Sequence, residues 1–167
     1  IFKNQKGAQY LINLFAINDH IDKEKDNKDP LSISLESLQN YCKINLIALF
    51  SVCRTFIKIR KKNASIINVS SLYGVRSPKH FIYNQQSKDI GYTMTKHGVI
   101  GLSKHLSTLV AKNNIRINTV IPGGILHDQQ DSFKKKYNQQ VPLNRMMHAK
   151  EIHGIFDLLC SEKSSYI

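Results

Sequence analysis

Apolar and polar positions recur on two different periods along this chain, and the changes of period mark its elements. Residues 10–16, Tyr-Leu-Ile-Asn-Leu-Phe-Ala, form a short, nearly continuous apolar run, which predicts a buried parallel strand. The charge-dense stretch 18–29, closed by Pro30, reads as a loop. From Ser34 onward, Leu35, Leu38, Ile44, Leu46, Ile47, Leu49, Phe50, Cys53 and Ile57 recur at helical spacing and predict one long helix with a wide apolar face. Ser32 or Ser34 suits its N-cap, and the basic residues of 58–62 suit its C-terminal dipole.

The β-branched run 65–70 predicts a second strand, and the polar stretch 74–90, which contains Pro78, a loop. A helix is expected over 91–113, with Val99, Ile100, Leu102, Leu106, Leu109 and Val110 toward the sheet and Asn113-Asn114 as its stop. Residues 115–121 predict a third strand, ended by Pro122-Gly123-Gly124. A charged helix over 128–139 and a last helix over 149–160 complete the reading. Strands alternating with helices of this length predict an α/β fold, a parallel sheet with helices on both faces. In such a fold the ligand crevice lies beyond the carboxyl ends of the strands, here just after Ala16, Ser70 and Ile121.

A length of 167 residues fits one domain. Cys42, Cys53 and Cys160 are odd in number and show no Cys-x-x-Cys spacing, so reduced, partly buried thiols in a cytoplasmic protein are expected. No apolar run approaches the roughly 20 residues that span a bilayer, so no membrane partner is expected. The chain shows no signal peptide and begins at Ile1 rather than Met, so it reads either as an internal piece without its true N-terminus or as a truncated gene product. The formal net charge of +12 is spread over several segments; it reads as a solvated face that also favours an anionic substrate or cofactor, without a nucleic-acid partner. The histidines, including His97, His105, His148 and His153, lack carboxylates or cysteines at ligand spacing, so no metal site is expected.

The candidate chemistry starts from Tyr92-Thr-Met-Thr-Lys96. Positions i and i+4 share a helix face, so phenol and ammonium project together. A phenol with an unperturbed pKa of about 10 is a poor base at neutral pH, and a neighbouring cation is expected to lower that value. Ile66-Ile-Asn-Val-Ser70-Ser71 brings hydroxyls to the end of the second strand. The segment 115–125, Ile-Arg-Ile-Asn-Thr-Val-Ile-Pro-Gly-Gly-Ile, ends the third strand in the same crevice.

Asn-Val-Ser-Ser, then Tyr-x-x-x-Lys followed by Gly98 and Gly101, then Arg-x-Asn-x-Val-x-Pro-Gly-Gly-Ile, in that order, resembles the short-chain dehydrogenase/reductase family over nearly the whole chain. The resemblance implies a Rossmann-type, doubly wound parallel sheet and hydride transfer between NAD or NADP and a carbonyl or alcohol. It implies that Tyr92 exchanges a proton with the substrate oxygen and that Ser71 hydrogen-bonds that oxygen. Lys96 is implied to lower the Tyr92 pKa and hold the nicotinamide ribose. Asn45, in Lys43-Ile-Asn-Leu-Ile47, matches an asparagine that helps hold a water on the proton path. Asn13, Pro122, Gly123 and Ile125 match cofactor-binding positions, the backbone of Ile125 reading the carboxamide. The family's two long helices commonly pair protomers, so a homo-oligomer acting on a small-molecule substrate is expected.

The sequence also departs from the family pattern. It contains no Gly-x-x-x-Gly-x-Gly turn, so it reads as an incomplete Rossmann-type domain without the N-terminal βαβ unit and the C-terminal strand. Leu14 and Phe15 are bulky where the family is small, and His127 replaces a threonine. Tyr92 lies unusually far after Ser71, so residues 76–89 form an insertion that either sets substrate selectivity or is a neutral surface elaboration. With Ser71-Leu-Tyr-Gly74 and Arg76-Ser-Pro-Lys79, it resembles a bacterial subgroup linked to flagellin-glycan and nonulosonic-acid sugars, and Arg76, Lys79 and His80 are candidates to meet an anionic substrate group. Two rival readings stand beside the oxidoreductase: an inactive fragment or assembly module, and a 3-oxoacyl carrier-protein reductase-like enzyme.

Overall fold

The computed structural model describes residues 7–18, 20–22, 30–83 and 86–167. Three strands, β1 (Tyr10–Asn13), β3 (Ala64–Val69) and β5 (Ile115–Val120), form a wholly parallel sheet in the order β1-β3-β5. Two very short strands, β2 (His20–Asp22) and β4 (Gln86–Lys88), pair antiparallel beside it. The helices are α1 (Leu35–Cys42), α2 (Leu49–Arg60), α3 (Ile90–Val110), α4 (Asp131–Asn138) and α5 (His153–Leu159). This is the expected α/β architecture: a parallel sheet with flanking helices, of Rossmann type. Among the described residues no helix is long and apolar enough to cross a membrane.

The core follows from strand alternation. Ala64 and Ile66 of β3 and Ile115 and Ile117 of β5 point to one face, where Leu49, Cys53 and Phe56 of α2 and Val99, Leu106 and Val110 of α3 cover them. On the opposite face, Ser65 Oγ donates to the carbonyl of Leu159 at the end of α5 (3.0 Å). The strand register places Asn13, Asn68 and Thr119 side by side at the carboxyl end of the sheet. Asn68 is fully buried there and satisfied: it accepts from Asn13 Nδ2 (2.8 Å) and donates to Ser103 Oγ of α3 (2.9 Å). This polar row locks β1, β3 and α3 in register next to the crevice, because each buried polar atom needs its partner.

Several boundaries differ from the sequence reading. The first strand stops at Asn13 rather than Ala16, because residues 14–18 leave the sheet to meet the helices. The stretches 18–29 and 74–90, expected to be loops, contain β2 and β4. Three-residue polar strands show no periodicity to read. The single long helix is divided by a π-helical segment, Lys43–Ala48, between α1 and α2. Its start is as expected, with Ser34 Oγ accepting from Ser37 N (3.1 Å). The charged helix begins at Asp131, and the helix expected over 149–160 is a 3₁₀ turn, Ala149–Ile152, running into α5. Asn114 stops the third helical stretch as expected, in the left-handed conformation (φ 54°), and its side chain bonds Asn63 Oδ1, itself at φ 53°.

Candidate active site

A cavity of about 380 Å³ opens beyond the carboxyl ends of the three parallel strands. Ser71, Tyr92, Lys96, Pro122, Gly123 and Ile125 all line it. Each is placed by its own local structure. Asp89 caps α3 by accepting from Gly91 N (2.6 Å), which puts Tyr92 in the first turn and Lys96 one turn further along. Ser71 follows β3 and caps a 3₁₀ turn, Leu72–Gly74, accepting from Tyr73 N (3.2 Å). A Cβ on Gly74 would lie 2.4 Å from Ser70 Oγ and 2.7 Å from the Lys96 carbonyl, so only glycine lets this turn sit on α3. Ser70 Oγ donates to that same carbonyl (2.7 Å), and Leu72 N donates to Pro122 O (2.9 Å). The ends of β3 and β5 and the start of α3 are thus stapled into one wall.

The electrostatics differ in one respect from expectation. Ser71 hydrogen-bonds the Tyr92 phenol, which lowers its pKa, but burial outweighs this and pushes the phenol above its ordinary value. Lys96 also lies near the Tyr92 ring. Its ammonium donates to Val69 O (2.9 Å) and lies 5.6 Å from the Tyr92 ring centroid. Lys96 is itself buried, and desolvation of its charge brings its pKa down to about 8.

Asn13 and Asn45 lie beneath the cavity rather than on it. Asn13 points at α2 and Asn68, donating to Asn68 Oδ1 and Cys53 Sγ (3.5 Å). Asn45, in the π-helical segment, accepts from Ile17 N (2.8 Å) and donates to Ile17 O (3.1 Å) and Thr95 Oγ1 (3.0 Å). Both of its amide hydrogens are therefore engaged in fixing the chain after β1 against α3. Gly124 meets the protein's own Tyr137: a Cβ there would lie 2.6 Å from Tyr137 Cζ, and Gly124 N donates to the Tyr137 hydroxyl (2.5 Å). Ile125 bridges Met147 through the N–H of Leu126 and the carbonyl of Gly124, which leaves the Ile125 N–H outside that ladder.

Other lining residues carried no usable signal in the sequence. Tyr73, Tyr83, Phe133, Tyr137 and Met146 form an aromatic wall, with Tyr83 donating to the Tyr73 hydroxyl (2.5 Å) and ring centroids 5.2 Å apart for Tyr83 and Phe133. Phe133 and Tyr137 are spaced i,i+4 within α4, whose lysines hid the pair. Lys88 and Gln129 also line the cavity. Arg76, Lys79 and His80, the candidates for an anionic group, are exposed and outside it; Lys79 donates to Gln140 Oε1 (2.6 Å). His127 is exposed and pairs with Asp128 (3.1 Å).

A family model described as "Enoyl-(Acyl carrier protein) reductase" matches residues 3–167. A 3-oxoacyl-[acyl-carrier-protein] reductase of Aquifex aeolicus is 32% identical, over 82% of this chain and 54% of its own length. The post-translational flagellin modification protein A of Campylobacter coli is 30% identical, over 80% of this chain and 54% of its own. The chain spans about half the length of these curated relatives. Among solved structures, a short chain dehydrogenase of Leptospira borgpetersenii with bound NAD+ superposes with a TM-score of 0.83 at 29% identity, covering 95% of this chain and 60% of that one. Motif order, parallel sheet, cavity and relatives agree: the chain belongs to the short-chain dehydrogenase/reductase family.

Proposed function

We propose that the chain carries the acid–base centre of an NAD(P)-dependent oxidoreductase acting on a carbonyl or alcohol of a small, sugar-like substrate. The observation that carries this reading is the meeting of Ser71, Tyr92 and Lys96, from two separate elements, at one cavity. The names of the relatives, a carrier-protein reductase and a dehydrogenase with bound NAD+, support the reaction class.

The donors at the cavity fit a nicotinamide ribose. Lys96 uses one ammonium hydrogen on Val69 O and keeps two, and the Ile125 N–H is outside the ladder. Tyr92, Lys96, Pro122, Gly123 and Ile125 would hold that group, and Asn13 supports the wall from below. When bound, the nicotinamide supplies or takes up the hydride. Tyr92 Oη exchanges the proton with the substrate oxygen, and Ser71 Oγ hydrogen-bonds that oxygen while holding the phenol in place. Because burial favours the neutral phenol, Tyr92 begins as a proton donor near neutral pH, which suits carbonyl reduction. Asn45 acts at one remove, by fixing Ile17 and Thr95.

The aromatic wall suits a substrate with apolar faces and hydroxyl edges, as a sugar has. A 3-oxoacyl thioester is the second reading, favoured by the carrier-protein reductase of 32% identity. Assays with a nucleotide sugar and with an acyl thioester separate the two. Leu35, Ile47 and Leu109 are exposed on the long helices and support a homo-oligomer, which the solution mass of the chain decides. Titration of the purified chain with NADH and NADPH, followed by nicotinamide fluorescence, tests the cofactor assignment. Saturable micromolar binding of at least one is expected. No binding at millimolar nucleotide would favour the assembly-module reading.

A further inference from the structure

A second lysine lines the cavity, and its ammonium lies nearer the Tyr92 ring than that of Lys96. Lys88 Nζ stands 4.1 Å from the centroid of the Tyr92 ring, against 5.6 Å for Lys96 Nζ. The placement is built into the fold. Lys88 ends β4, where its backbone pairs with His20 of β2, and its side chain is almost fully buried and lines the cavity. Its ammonium donates to Asn18 Oδ1, in the chain that follows β1. Lys96, by contrast, is directed to the Val69 carbonyl.

We propose that Lys88 is a positioning residue for the Tyr92 phenol: its ammonium, held over the ring by Asn18, stabilises the phenolate and sets the pH at which Tyr92 exchanges its proton. The physical basis is the ring's electron density. A cation over an aromatic face is attracted by the π cloud, and the attraction grows when the hydroxyl ionises and its charge spreads into the ring. The proposal rests on the reading of Tyr92 as the proton-exchanging group. Among the described residues, the other titratable or charged groups around Tyr92 are Lys96 and the capping Asp89 at α3, Tyr73 after β3, Tyr83 in the 3₁₀ turn His80–Tyr83, and Tyr137 of α4. Of these only Lys96 shares the sign of Lys88. Burial of the phenol works against ionisation, so a cation at the ring face opposes the dominant influence on this group.

The test replaces Tyr92 site-specifically with 3,5-difluorotyrosine, whose phenol is more acidic than that of tyrosine, and follows its ¹⁹F resonance with pH in the whole chain. Lys88→Met is expected to raise the midpoint by about one unit, a tenfold loss of phenolate at a given pH, and Lys88→Arg to restore it. A midpoint unmoved by Lys88→Met overturns the proposal, and so does an equal rise in Lys88→Met and Lys88→Arg, which would mark a packing effect. Should Lys88→Met fail to fold, Lys88→Gln gives the same comparison. The titration does not depend on hydride transfer. A midpoint that moves while the pH profile of turnover does not would therefore sink the Tyr92 reading and leave the Lys88–phenol coupling standing.

Discussion

Lys96 is an ammonium taken almost wholly out of water, with one backbone carbonyl as its partner, and that arrangement has a measurable pH signature. Its folded pKa is lowered to about 8, below that of a free lysine, so between these values the unfolded chain binds more protons than the folded one. The burden of burying the charge is full below pH 8 and is relieved as pH rises through that window. Urea unfolding of the wild type and Lys96→Met at pH 7 and pH 10 should show their difference move in favour of the wild type by about 2 kcal/mol. A difference that stays constant would mean that Lys96 is solvated. At this scale the sequence was most informative where residue type and spacing were special: the i,i+4 pair of Tyr92 and Lys96 and the hydroxyl of Ser71 reach the same cavity. It was silent on Lys88, because a lysine in a polar insertion looks solvated until β2 and β4 are seen to pair.

At the scale of elements, the π-helical segment Lys43–Ala48 carries Asn45, which faces inward and binds Ile17 on one side and Thr95 on the other. The apolar spacing from Leu35 to Ile57 predicted the helix but not the widened turn, since a single extra residue per turn barely disturbs the pattern. Asn45→Ala leaves the N–H and carbonyl of Ile17 without these partners and should destabilise the fold by about 2–3 kcal/mol. Amide exchange at Ile17 should speed up with it. Unchanged protection there would show that the strand end is held by other contacts. The three parallel strands were legible from their apolar runs and the Pro-Gly-Gly stop, whereas the aromatic wall was not. Its members come from the turn after β3, the insertion and α4, and only tertiary packing assembles them.

For the molecule as a whole, the family assignment and the geometry converge on one arrangement: a parallel sheet whose strand ends, stapled by Ser70, Gly74 and Pro122, present a phenol, a hydroxyl and an ammonium to a common cavity. The motif order made this legible before any coordinates, because it fixes which strand ends meet. Substrate choice was not legible, since it depends on the wall built by the insertion and α4. The central claim is that Tyr92 exchanges the proton with the substrate oxygen. Single-turnover hydride transfer by Tyr92→Phe tests it most directly. The account predicts a rate reduced by about 10²–10⁴-fold at saturating nucleotide. Hydride transfer at the wild-type rate would contradict it.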